Sequence, residues 1–246
     1  MQKIALITDS ACDLDLNTLK ENNINLLPLR IIYSNGDYRD RIDITPQEVY
    51  DNLENEVPKT SLPSAQETEE ILTKLETEGY THVICISISS GLSGSFNAIR
   101  LALEDHPKLT SFVYDSKILA YPQGEIVLEV AKLIKEGKSF EEIVQEIPEI
   151  RKRVIGYFTI NTLEYLKKGG RIGRLAGTVG ELLNLKPIIT TDEDGVYYNV
   201  AKVRGRKQSL SKMTELLKGY LDKSKCEIAV LHAGCEDEAI KYMNSL

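Results

Sequence analysis

The sequence predicts an α/β protein, with a parallel β-sheet flanked by helices and then a smaller α/β part. Three observations carry that expectation. Short runs rich in β-branched and other apolar residues alternate with helical patterns, as they do where each strand returns to a parallel neighbour through a helix. Helix starts are well marked, at Thr45-Pro46 and at Ser139 with Glu142. Glycines and small hydroxyl residues follow a buried strand at Ser87 to Ser95, the place where parallel sheets bind ligands.

In order along the chain, Lys3 to Thr8 reads as the first strand and Leu26 to Tyr33 as the second. Thr45 then supplies a capping hydroxyl, and Pro46 at the first helical position lacks only an N–H that the helix would leave unpaired. Pro58 to Ser64 is a proline-pinned, hydroxyl-rich loop before a helix, and His82 to Ser87 is a strand that runs into Ser87 to Ser95 and the helical pattern Phe96 to Leu103. Ser111 to Tyr114 reads as a further strand, and the Ser139/Glu142 capping box opens a helix that ends near Arg153. The pattern then changes to a strand at Ile155 to Ile160, a short helix, and the glycine-rich stretch Lys168 to Gly173, so a boundary is expected between domains 1–155 and 156–246. Pro187 to Thr191 and Val196 to Val203 form a hairpin-like pair joined through Asp194-Gly195. A helix from about Lys207 to Leu221, a strand at Glu227 to His232 and a helix at Glu236 to Asn244 follow, with no internal repeat or low-complexity tract.

The totals narrow the function. A chain of 246 residues, 42% hydrophobic and 27% charged, has material for one large or two modest globular domains, and two are expected. The formal charge of -7 argues against a general nucleic-acid binder, whose affinity needs clustered Lys and Arg. A local basic stretch does run through Lys202, Arg204, Arg206 and Lys207, read either as solvated faces or as a docking surface for an acidic partner. Cys12, Cys85, Cys226 and Cys235 contain no C-x-x-C pair and, with three histidines, build no zinc framework; reduced thiols and a buried, inert Cys85 are expected. The apolar run in Met1 to Thr8 is too brief for a signal peptide, and nothing approaches a bilayer-spanning length, so the expected place is the cytoplasm, with at most transient membrane contact.

Ser87-Ile88-Ser89-Ser90-Gly91-Leu92-Ser93-Gly94-Ser95 carries the strongest chemical signal. A helix N-terminus offers unpaired N–H groups and a positive dipole end, and glycines let a ligand approach, so an anion fits there; the alternative is that Ser95 only caps the helix. Pro58 to Ser64 and Thr8-Asp9-Ser10 join the site only if all three segments converge. A serine hydrolase or acyl transferase using Ser93 is a rival reading, because Gly91-Leu92-Ser93-Gly94-Ser95 approximates a nucleophile elbow without its final glycine, and Asp115 and His232 follow in triad order. His82 opens a strand, and His106 reads as a surface residue or C-cap helper. No P-loop is present, and Asp37, Asp40 and Asp43 do not match a calcium loop and read as a solvated acidic turn.

Taken in order, Thr8-Asp9-Ser10, Thr60-Ser61-x-Pro63-Ser64, Ser89 to Ser95, Asp115-Ser116, Leu163 to Ile172, Leu182 to Ile188 and Lys202-Val203-Arg204 resemble the motifs of the DegV family over nearly the whole chain. The resemblance implies a two-domain DegV-like fold holding one long-chain fatty acid, such as palmitate, between its domains, with no catalytic apparatus, cofactor or metal of its own. It further implies a partner, the ATP-using catalytic subunit of a bacterial fatty-acid kinase, whose acyl phosphate enters phospholipid synthesis; a carrier of another amphipathic acid is the remaining alternative. By matching motifs, the carboxylate contacts fall on Thr60 and Ser93, with Ser61 and the Gly94 amide as neighbours and Arg171 in the head-group network. Arg204 and Arg206 become the partner-docking candidates, and Ile86, Leu92, Phe112, Phe158, Ile160 and Leu183 the candidate tunnel walls. The family's His-x-Gly-Pro-Gly segment, expected near the head group, does not occur in residues 1–246.

Overall fold

A computed structural model describes residues 2–178 and 185–246. Its central sheet is parallel, in the order β2-β1-β6-β7, with β1 at Ile4–Asp9, β2 at Ile24–Leu27, β6 at His82–Ser87 and β7 at Thr110–Asp115. Ile7 pairs with Cys85 and Ile84 with Phe112, so the strands are in register across three elements. Side chains alternate between faces with period two, and both faces are apolar, as a sheet covered on both sides requires. Leu6, Ile84 and Ile86 pack with Leu19 of α1 (Leu16–Glu21) and against α5 (Tyr121–Lys135) and α6 (Phe140–Arg153). Ala5, Ile7, Val83 and Cys85 pack on the other side against Leu72 and Leu75 of α3 (Ala65–Thr77) and Ile99 and Leu103 of α4 (Ser95–Glu104). Helical spacing produces these stripes: Phe140, Ile143, Ile147 and Ile150 lie on one face of α6.

The expected strand Leu26 to Tyr33 is two strands in different sheets. Pro28 has no N–H to give a ladder, and the chain leaves the parallel sheet there. Leu29 N–H donates to Ser10 Oγ at 3.0 Å, and Leu29 O accepts from Asp40 N–H at 2.9 Å. The chain then enters an antiparallel sheet β4-β3-β5, formed by β3 (Arg30–Tyr33), β4 (Gly36–Arg39) and β5 (Lys59–Ser61), with α2 (Pro46–Asn52) between the last two. Neither β4 nor β5 was expected from the sequence, being three or four residues long and largely polar.

After α6, a third sheet in the order β10-β9-β8 joins β8 (Phe158–Thr159), β9 (Leu185–Thr191) and β10 (Tyr197–Arg204), with α7 (Glu164–Lys168) between β8 and β9. The expected hairpin is thus present, with an irregularity between Asn199 and Ala201. Helices α8 (Arg206–Leu221) and α9 (Glu236–Met243) also fall where expected. Glu227 to His232 is not a strand: Ile228 and Val230 are half-buried between exposed neighbours, the period of a strand, but among the described residues no strand lies alongside to complete a ladder. Among the described residues no helix is long and apolar enough to cross a membrane.

Candidate functional site

The loop from Ser87 to Gly94 leaves the carboxyl end of β6 and delivers the chain to the N-terminus of α4. Its shape is set from inside. Ser89 is buried, donates its N–H to Ile118 O at 2.9 Å, and accepts on its own carbonyl from Leu92 N–H and Ser93 N–H, both at 3.0 Å. Ser90 N–H donates to Asp115 Oδ1 at 3.0 Å, and Lys117 Nζ reaches both Ser90 Oγ at 3.0 Å and Asp115 Oδ2 at 2.8 Å. Burial alone would raise the Asp115 carboxyl, but the bonds from Lys117 and Ser90 outweigh it and hold the carboxyl below its usual range.

Ser93 stands half-buried at the end of this loop, its Oγ 2.8 Å from Ser95 Oγ and accepting from Ser95 N–H at 3.3 Å. It is therefore Ser93, not Ser95, whose side chain meets the first N–H of α4. Gly94 is the exposed N-cap, and N–H groups of the first turn of such a helix have no carbonyl partner within it. A Cβ at Gly94 would lie 3.3 Å from Leu62, so the end of β5 abuts the loop. Arg171 Nε donates to Leu92 O at 3.3 Å, placing that guanidinium beside the same loop. The structure thus brings together Ser93, Gly94, Arg171 and the Thr60-Ser61 strand.

The two β5 residues do not act alike. Thr60 pairs with Ile31 and Ser61 with Arg30, and successive strand residues face opposite sides, so Ser61 shares its face with Arg30 and Arg39. Those two arginines are bound to Glu67 of α3. Thr60 stands on the other face, and both residues are exposed.

Beside the loop lies an apolar cluster in which Ile88 and Leu92 of the loop meet Leu175, Ile189 and Tyr197. Phe158, Ile160, Leu163 and Leu166 pack against it. Of the expected tunnel walls, Leu92, Phe158 and Ile160 meet in this cluster; Ile86 and Phe112 belong to the core under the parallel sheet, and Leu183 lies outside the described residues.

Other residues marked in the sequence take varied places in the fold. Thr8, Asp9 and Ser10 are buried and spent on internal bonds: Asp9 Oδ2 accepts from Ile88 N–H at 2.8 Å, and Oδ1 from Gln123 at 3.0 Å and Ala11 N–H at 3.2 Å. Buried and paired in this way, they support the loop through the Ile88 N–H. Burial pushes the Asp9 carboxyl up to about 6. His106 is buried, with its ring nitrogens 3.1 Å from Glu69 and 3.3 Å from Glu76, and is neither a surface residue nor a bare C-cap. The expected solvated turn is partly wrong as well: Asp37 and Asp43 pair with Arg30 and Arg39, but Asp40 is half-buried against Ser10 and its carboxyl is raised by burial. Arg206 ion-pairs with Glu238, joining α8 to α9, while Arg204 is exposed. Cys85 and Cys12 are buried and their thiols pushed up by desolvation, Cys12 to about 12. Among the described residues no group of three or more His, Cys, Asp or Glu side chains could hold a metal ion.

Sequence reasoning missed Lys117, and it placed Ser89 in the loop and Asp194-Gly195 in the hairpin without linking the two, although all of them shape the loop. Ser89 Oγ donates to Gly195 O at 2.8 Å, a contact across 106 positions that carries no local signal.

Comparison with known proteins identifies the family. Residues 3–246 match the family profile described as "Uncharacterised protein, DegV family". The chain belongs to the DegV family. A DegV domain-containing protein of Clostridium perfringens is 53% identical over all of this chain and 88% of its own length. The structure of DegV from Bacillus subtilis, described as a fatty acid binding protein, superposes with a TM-score of 0.92 at 32% identity, covering 100% of this chain and 88% of that one. A fatty acid binding DegV family protein of Streptococcus agalactiae gives 0.90 at 34% identity, over 99% and 87% of the two chains. The expected α/β class, with a parallel sheet flanked by helices, is that of these DegV proteins.

Proposed function

We propose that this DegV chain binds a long-chain fatty acid at the Ser93 loop and presents its carboxylate to a separate ATP-dependent kinase subunit. The observation that carries the reading is the junction itself: hydroxyl and amide groups at the start of α4 lie directly against the apolar cluster of Ile88, Leu92, Ile189 and Tyr197. A molecule with an anionic head and a long apolar tail satisfies both halves. Support comes from the solved relatives at 30% identity or more that are described as fatty acid binding.

In this reading Ser93, the Gly94 N–H and Thr60 take the carboxylate, with Ser61 a neighbour on the opposite face of its strand and Arg171 adding positive charge. The tail lies between residues 1–155 and 156–246, taken as two domains, and the exposed Arg204 belongs to the docking surface, with Arg206 tied to Glu238 beside it. The protein supplies no cofactor and no catalysis of its own, and the encounter takes place in the cytoplasm. The tail dominates affinity: a C16 chain at about 0.8 kcal/mol per buried CH₂ contributes on the order of 12 kcal/mol before association costs. The carboxylate loses water on entry, and charge-assisted bonds of about 1.5 to 3 kcal/mol each mainly offset that loss, so the head sets orientation.

Native mass spectrometry of the purified protein, with extraction and identification of what it carries, tests the reading. A stoichiometric long-chain fatty acid is expected, and Ser93→Ala should keep it while weakening binding by about tenfold. A different amphipathic acid, or loss of all ligand in Ser93→Ala, would overturn the assignment of tail and head.

A further inference from the structure

The Ser93 loop is not shaped by its own domain alone. The turn between β9 and β10 is internally rigid: Gly195 N–H donates to Asp192 O at 2.9 Å, and Asp194 N–H and Val196 N–H both donate to Asp192 Oδ1 at 3.0 Å. Arg174 braces it from outside, reaching Asp192 at 2.9 Å and Asp194 at 2.6 Å. This turn is seated on the loop. Ser89 Oγ donates to Gly195 O at 2.8 Å and accepts from Gly91 N–H at 3.1 Å, and Thr191 Oγ1 donates to Lys117 O at 2.8 Å. The fit leaves no room for side chains. A Cβ at Gly195, whose φ is +76°, would lie 1.9 Å from Ser89 Oγ, and a Cβ at Gly91 would lie 2.8 Å from the carbonyl oxygens of Asp194 and Gly195.

We propose that the β9–β10 turn is a latch that positions the carboxylate site: Ser89 is a positioning residue that transmits the seating of Gly195 to Ser93. The path is short and covalently defined. Ser89 Oγ is held by the turn, and the carbonyl of the same residue accepts the N–H bonds of Leu92 and Ser93. Those two bonds fix where Ser93 Oγ and the Gly94 amide stand. The turn also continues into β9 and β10, whose Ile189 and Tyr197 belong to the apolar cluster proposed for the tail, so one rigid piece bears on both the head and the tail of the ligand. Ser90, Lys117 and Asp115 brace the loop on its other side, so release of the latch frees the Ser93 end without unfolding the loop's start.

The binding half of this proposal rests on the fatty-acid reading; the coupling of turn to loop does not, and two measurements separate them. The first is amide hydrogen exchange of the unliganded protein, in the wild type, Ser89→Ala and Gly195→Ala. The latch predicts exchange at Leu92 and Ser93 faster by at least about tenfold in Ser89→Ala, with the amides of β1 and β6 unchanged. Unchanged Leu92 and Ser93 amides overturn the latch whatever the ligand is. The second is the ratio of Kd values for hexadecanol and hexadecanoate, which share a tail and differ in the head. Ser89→Ala should lower this preference for the acid by about tenfold while hexadecanol binding stays within about threefold of wild type. An equal loss for both ligands overturns the positioning role, because general loosening weakens tail and head alike. Wild type that binds neither hexadecanoate nor hexadecanol would overturn the fatty-acid reading, leaving the exchange result to decide the latch. Gly195→Ala forces the turn off the loop, and Ser89→Ala keeps the test decisive should that variant fail to fold.

Discussion

Ala120 holds its backbone at φ 59° and ψ -159°, a region that residues bearing a Cβ rarely occupy. It is kept there from both sides, its N–H donating to Ala11 O at 2.7 Å and its carbonyl accepting from Gln123 N–H at 2.8 Å. That grip places Gln123 in reach of Thr8 and Asp9, the buried residues under the Ser93 loop. Strain of this kind costs about 1 to 3 kcal/mol, and glycine would remove it while giving back about 0.4 to 1 kcal/mol in unfolded-state entropy. Ala120→Gly is therefore expected to raise stability by about 1 kcal/mol, read as a higher urea midpoint at constant slope; a lower midpoint would show that the alanine is unstrained. At this scale the sequence was legible where chemistry is local and misleading where it is not. Ser93 and Gly94 lie at a helix start that the strand-loop-helix pattern marks. Thr8, Asp9 and Ser10 have the same polar character in sequence, yet their bonds run to Ile86, Ile88, Gln123 and Leu29, partners that only the fold supplies.

Elements with complete local signals were read correctly. Helix α6 begins at a full capping box: Ser139 Oγ accepts from Glu142 N–H at 3.2 Å, and Glu142 Oε2 accepts from Ser139 N–H at 2.8 Å. The helix matters beyond its start, because its apolar stripe covers one face of the parallel sheet through α5. Ser139→Ala strands the Glu142 N–H while the backbone N–H at position 139 keeps its bond to Glu142, so it is expected to cost about 1 kcal/mol, measured by chemical denaturation. A change below about 0.3 kcal/mol would show that water serves that N–H equally well. The elements that were misread lack such signals. Leu26 to Tyr33 has one continuous strand composition, and only Pro28 hints that it crosses from one sheet to another. Glu227 to His232 has the right period but no neighbouring strand among the described residues, and pairing, unlike period, is not written in a single segment.

Across the whole molecule, the carboxylates divide into two groups with opposite effects on stability. Desolvation raises Asp9, Asp13 and Asp40, while hydrogen bonds lower Asp15, Glu48, Glu142 and Glu238. A lowered carboxyl adds stability that is lost as pH falls through its folded pKa. A raised one works in reverse: the folded state holds its proton more tightly than the unfolded chain, so stability declines as pH climbs from the unfolded pKa to the folded one. For Asp9, that window runs from the ordinary 3.8 to about 6. Its ionised form is held by Ile88, Ala11 and Gln123 but faces the charge of Asp40, and complete burial prevails over those bonds. The integrated effect is about 3 kcal/mol, fully expressed only above about pH 7. Asp9→Asn has no such proton to lose. The difference in unfolding free energy between wild type and Asp9→Asn should therefore shift by about 2 kcal/mol in favour of the variant between pH 4 and 6, level off by about pH 7 and stay there to pH 8. Urea titrations across that range decide it, since the slope of the difference is unaffected by any fixed cost of placing an amide beside the Ile88 N–H. Parallel curves from pH 4 to 6 would mean that Asp9 is ionised throughout, with the three hydrogen bonds, not burial, governing the floor of the Ser93 site.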